Sequence, residues 1–158
     1  MLSYLIVFLS FLLEITLSNI FYGDSLFINL FTILSLYVVY PFFKKKKRTY
    51  YLLSLIMGFL YDLILMPNFG INLIIFTIFA VLISVICDNF EETFLNSIFA
   101  CLLIVVLYRS LTYICFLLIN NIKYDYFVYI KAIYSSIFIN IIYICLLYIF
   151  LRKKKSKL

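Results

Sequence analysis

The sequence contains no histidine. That removes imidazole metal ligands, Ser-His-Asp hydrolysis and histidine proton relays from the available chemistry. Charge is scarce as well: Asp, Glu, Lys and Arg together make up 13% of the 158 residues. Glycine and alanine each occur three times, so tight helix–helix contacts must be few. None of the four cysteines, Cys87, Cys101, Cys115 and Cys145, is paired at Cys-x-x-Cys spacing. Each lies in or beside an apolar stretch, where a thiol acts as a small hydrophobe. No P-loop, dinucleotide fingerprint, zinc motif or Asn-x-Ser/Thr sequon occurs. No cofactor, no metal and no catalytic constellation are expected. The first segment lacks a basic n-region and a small-residue cleavage site, so it reads as a retained helix rather than a signal peptide.

What the chain does have is apolar surface. Hydrophobic residues make up 67% of it, whereas globular chains average about half. A soluble domain of this size could not hide so much, which makes lipid the solvent. The expected fold class is all-α: a polytopic membrane protein with about six transmembrane helices in one bundle, forming a single domain over 1–158. The spans read as 2–22, 26–43, 50–66, 71–87, 94–119 and 127–151. Each is close to the ~20 residues that a ~30 Å hydrocarbon core requires. Helices are needed because unpaired backbone groups are not tolerated in lipid. The runs do not alternate as barrel strands would. Pro67-Asn68-Phe69-Gly70 is short enough to force an antiparallel helical hairpin. Asn89 and Glu92 stand at capping-box spacing ahead of the fifth span.

The net charge of +6 is concentrated in two places. Lys44, Lys45, Lys46, Lys47 and Arg48 form one run, and Arg152, Lys153, Lys154, Lys155 and Lys157 form the tail. Both abut hydrophobic segments, as topology-setting charges do, and this location argues against nucleic acid as a partner. An even number of spans puts both clusters and the N-terminus on the cytoplasmic side, facing lipid headgroups.

Ionisable residues inside a bilayer are expensive and each requires an explanation. Glu14, Asp62 and Arg109 qualify. At about 1.5 Å per residue from the cytoplasmic end, the two carboxylates lie roughly 17–18 Å deep and the guanidinium roughly 22 Å. One layer therefore holds all three. A charge cluster tying spans one, three and five is one expectation; separate partners for each group is the other. Ser54, Gly58 and Asp62 share one face of span three, Ser10, Glu14 and Ser18 one face of span one, and Ser136 and Asn140 one face of span six. These stripes fit ordinary bundle packing, or a partner-docking face or polar cavity.

The stretch Gly58-Phe59-Leu60-Tyr61-Asp62, followed by the turn glycine Gly70 and by Asn72, resembles the signature of the MreD family of rod shape-determining proteins. Glu14, Asn140, the basic tail and the total length fit the same family. The resemblance implies a non-enzymatic component of the bacterial inner membrane, with both termini cytoplasmic. It would belong to the cell-elongation complex that maintains rod shape through lateral peptidoglycan synthesis. The partners implied are MreC, the filament protein MreB, the glycosyltransferase RodA and a class B penicillin-binding protein. Gly58 and Asp62 would be the motif positions, with Asp62 fixing local structure or a partner contact. The family fold resembles the S-components of vitamin transporters, which supplies the alternative of a small-molecule-binding transporter subunit. Against that alternative, span one lacks an Ala-x-x-x-Ala docking pattern, and the outer loops offer few ligand groups. A membrane enzyme using Asp62 as a base is a third reading; it requires a hydrophilic pocket.

Overall fold

The computed structural model describes residues 2–21, 30–64, 70–90, 93–120 and 125–155. Every regular element among them is helical: α1 (Leu2–Phe21), α2 (Phe31–Val39), α3 (Lys47–Ile64), α4 (Ile71–Asn89), α5 (Phe94–Asn120) and α6 (Tyr126–Lys155). A 3-10 segment, Tyr40–Lys46, joins α2 to α3. Gly23, Asp24 and Ser25, between the first two expected spans, and Pro67, Asn68 and Phe69 of the hairpin connection lie outside the described residues.

Sequential neighbours pack as hairpins, α1 on α2, α3 on α4 and α5 on α6, with α2 also touching α4 and α6. Helix α2 is the centre of the bundle. Eight of its nine residues are buried, polar Thr32 and Ser35 included. Around it the core is built from large side chains such as Tyr61, Phe76, Phe79 and Ile104, all sealed from solvent. Outward-facing positions are apolar too, for example Leu5, Phe8 and Leu9 on α1 and Leu95, Phe99 and Leu103 on α5. A surface of that kind is suited to lipid rather than water. Helices α4, α5 and α6 are each long and apolar enough to cross a membrane, and Leu2–Ser18 forms a shorter apolar helix.

Two local expectations are corrected. The run Lys44 to Arg48 was read as a polar break after a span ending at Phe43. Instead the 3-10 segment carries the chain straight into α3, and Lys47 and Arg48 are the first residues of that helix. Pro41 sits at the start of the 3-10 turn, where a missing N–H is harmless, and lysine is a good helix former, so nothing in the run stops the chain winding. The cap of α5 is also not Asn89, whose side-chain amide donates to Val85 O at 2.7 Å within α4. Thr93 takes that role, with its Oγ1 accepting the Asn96 N–H at 3.3 Å. Arg152, Lys153, Lys154 and Lys155 continue α6 as its last residues, where cations complement the helix dipole.

Candidate functional site

The polar residues of the bundle interior form two junctions, each built on a carboxylate of one helix that meets the start of the next. The first is between α3 and α4. A helix begins with N–H groups that have no intrahelical partner, and in a membrane no water substitutes. Helix α4 resolves this with a side chain from another helix. Asp62 of α3 accepts the N–H of Gly70 at 3.0 Å and of Leu73 at 3.0 Å on Oδ2. On Oδ1 it accepts the N–H of Asn72 at 2.9 Å and the Asn72 side-chain amide at 3.0 Å. Those four donors fill the lone-pair sites of an ionised carboxylate. The helix dipole favours a negative charge at this end.

Two glycines make that approach feasible. A Cβ on Gly58 would stand 2.8 Å from Asn72 O, 2.9 Å from Leu73 Cα and 3.0 Å from Phe76 Cβ. Gly58 is thus the point where α3 touches the backbone of α4, one turn before Asp62. Gly70 has open space around it, but its φ of 98° lies in the left-handed region that L residues avoid. It precedes the first turn of α4. Ser54, one turn further down α3, donates to Phe76 O at 2.9 Å. The Ser54, Gly58 and Asp62 stripe is therefore covered by α4. It is a packing face within the chain and not an outer docking surface.

The second junction joins α1, α2, α3 and α6. Glu14 of α1 is sealed from solvent. Its Oε2 accepts the Thr32 N–H at 2.9 Å and the Thr32 hydroxyl at 2.5 Å, at the start of α2. Its Oε1 accepts the Tyr61 hydroxyl of α3. Asn140 of α6 completes the α2 start by accepting the Leu30 N–H at 3.1 Å, while its amide donates to Ser136 O at 2.7 Å. Ser10 hydrogen-bonds Tyr143 across to α6. So the stripes on α1 and α6 also face inward.

One of the two expectations joins Arg109 to both carboxylates; the other gives each group separate partners. Among the described residues, the hydrogen bonds to Glu14 and Asp62 given above come from neutral donors, while Arg109 acts on Glu14 through its charge. Arg109 Nε donates to Ser136 Oγ at 3.1 Å, tying α5 to α6. The physical reason is that unpaired helix-start N–H groups compete for the carboxylates and must be satisfied first. The three ionisable side chains nevertheless all act electrostatically on one buried group. Tyr108 of α5 is buried within electrostatic reach of Glu14, Arg109 and Asp62, and its hydroxyl donates to Asn72 Oδ1 at 3.0 Å. Asn72 thereby links Asp62 to α5.

A third polar group lies at the opposite end of the α3–α4 hairpin. Lys47 Nζ is 2.7 Å from Asp88 Oδ2, and the Tyr40 hydroxyl donates to both Asp88 oxygens at 3.1 and 3.2 Å. The hydrogen bond from Lys47 holds the Asp88 carboxyl below its ordinary range, and the same bond holds the Lys47 ammonium above its own. Lys44, Lys45, Lys46 and Arg48 are exposed around this pair.

Sequence reasoning placed Glu14, Gly58, Asp62, Gly70, Arg109 and Asn140 but missed Thr32, Tyr61 and Tyr108, which hold them together. Neither a threonine at a helix start nor a tyrosine in an apolar run carries a distinguishing mark. Chemically the assembly supports structure. The Asp62 carboxylate is occupied by four N–H groups at the start of α4, a different use from the open base that a membrane enzyme would require. Among protein-family models, that of the rod shape-determining protein MreD matches residues 1–154. No curated protein and no solved structure matches.

Proposed function

The chain belongs to the MreD family of rod shape-determining membrane proteins, and from that premise we propose that it is a non-enzymatic scaffold of the bacterial cell-elongation complex. In this reading it sits in the inner membrane as one domain of six spans, with both termini and both basic clusters on the cytoplasmic side. It docks MreC and, through it, works with MreB, RodA and a class B penicillin-binding protein in lateral wall synthesis.

The observation that carries the reading is the use of Asp62. The motif carboxylate is fully occupied in starting α4, with Gly58 and Gly70 shaped around the same junction. Glu14 is used in the same way at α2. Groups held so completely give rigidity rather than turnover, and a rigid bundle with apolar flanks presents a fixed surface to other membrane helices. The vitamin-binding alternative gains nothing from the family match.

Depletion followed by imaging tests the proposal. Loss of the protein is expected to round rod-shaped cells, and an affinity-tagged chain is expected to retain MreC through detergent purification. Cells that keep their shape on depletion would refute the role. Rounded cells whose tagged chain retains no MreC would refute the docking.

A further inference from the structure

Between α4 and α5 the outer surface holds a shallow groove of about 520 Å³. Its floor runs along α4 from Thr77 to Ile86, with Leu103 as the contribution of α5. The lining is almost wholly aliphatic. Thr77, the polar residue in it, has its hydroxyl turned to Leu73 O at 2.8 Å. At 1.5 Å per residue the groove is about 14 Å long, which is roughly half of a ~30 Å hydrocarbon core. It is therefore one leaflet deep. A membrane-spanning partner helix would need a groove of twice that length; an acyl chain needs one of this length.

The groove's position selects the kind of lipid. Its Ile86 end lies within one turn of Asp88. On the helical wheel Asp88 falls about 20° from Val81, a groove residue seven positions earlier. Asp88 is bonded to Lys47 at 2.7 Å, and Lys44 is close enough for its charge to act on the same carboxylate. Lys47 and Lys44 thus stand by the mouth of the groove, at headgroup level, with the exposed Lys45 and Lys46 between them in the chain. In the sequence at this end of the hairpin the three acidic residues Asp88, Glu91 and Glu92 are outnumbered by Lys44, Lys45, Lys46, Lys47 and Arg48.

We propose that the α4–α5 groove and the Lys44–Arg48 run form one binding site for an anionic glycerophospholipid, with an acyl chain along Val81 and Val85 and the headgroup phosphate at the lysines. The site does not depend on the scaffold role, nor on which compartment this end of the bundle faces.

Native mass spectrometry of the full chain, released from nanodiscs of phosphatidylglycerol or of phosphatidylcholine, tests it. One phosphatidylglycerol is expected to remain bound after delipidation, and phosphatidylcholine is not. The K44Q/K45Q/K46Q variant is expected to weaken retention on the order of a hundredfold, about fivefold per charge removed near the surface. V81W, which fills the groove from an exposed position, is expected to release the lipid with the lysines intact. Equal retention of both lipids overturns the proposal, as does V81W retaining phosphatidylglycerol while the lysine variant loses it. Both variants alter exposed side chains. A chain whose circular dichroism and elution match the parent therefore reports on the site. V85W provides a second groove substitution should V81W fail that check.

Discussion

Asp62 on α3 accepts the backbone N–H of Leu73 on α4 at 3.0 Å, so a helix is started by a side chain eleven residues upstream and on a different helix. A local cap would serve one helix. This one also fixes the distance and rotation between two, and it makes the family motif a joint. Removing the carboxylate should expose several buried donors together. Asp62→Ala is expected to destabilise the bundle by about 2–4 kcal/mol, combining a lost cap, a lost dipole partner and unpaired N–H groups. Asp62→Asn should fall between, since its amide keeps one accepting oxygen. Thermal unfolding in detergent measures both, and an alanine variant that melts with the parent would contradict the joint.

The two motif glycines should fail for different reasons. Gly58→Ala drives a Cβ into the backbone of Asn72 and Leu73, which cannot yield as a side-chain end would. A loss of about 1–3 kcal/mol is expected, rising with side-chain size. Gly70→Ala meets no atoms and suffers only from its left-handed φ, at about 1–2 kcal/mol. Gly70→Asn should therefore be better tolerated than Gly70→Val, whereas Gly58 should reject both. Equal tolerance of asparagine at the two sites would show that one mechanism is wrong.

Charge exchange across the middle of the bundle should not rescue. The two carboxylates answer to neutral donors, so Arg109→Glu combined with Glu14→Arg or Asp62→Arg is expected to be as defective as the worse single variant. The readout is recovery of rod shape by plasmid-borne copies in depleted cells. Recovery by either double variant would restore the direct ion pair expected from sequence.

The exposed Lys47–Asp88 pair has a definite pH signature. Asp88 is held below its ordinary value of 3.8, so its contribution is complete above that value and fades as pH falls through the lowered one. Lys47 is held above 10.5, so its contribution is complete below that value and fades as pH rises through the raised one. The melting difference between the parent and Asp88→Asn should therefore be flat between the two ordinary values and shrink outside them. It should also shrink with added salt, as contacts at the surface do. A difference that varied strongly near neutral pH would mean that another group titrates there.

Much of this architecture was legible. The i, i+4 spacing of Ser54, Gly58 and Asp62 put them on one face, and α4 covers that face. The apolar runs marked α4, α5 and α6 nearly to their ends. The acceptors were legible because a carboxylate or a glycine in a greasy run stands out. Their partners were not, because the donors are backbone N–H groups of Leu30, Thr32, Asn72 and Leu73, which every residue but proline possesses. Pairing of the guanidinium with the carboxylates suggests itself because charge is easily read in sequence and unpaired amides are not. The Lys44–Arg48 run was misread for a similar reason. Charge marks a gap between the expected spans where exposed lysines simply extend the helical path.

The joint at Asp62 has a consequence for how the protein is made. When α3 emerges from the ribosome, the residues that will satisfy its carboxylate, Gly70 to Leu73, are still inside the exit tunnel. Alone in the insertion machinery, that helix carries an acidic group for which apolar surroundings offer nothing. Helices α3 and α4 should consequently enter lipid as a pair. Nascent chains stalled with α3 outside the ribosome and α4 still in the exit tunnel should stay crosslinked to the translocon, and those long enough to expose all of α4 should depart into the bilayer.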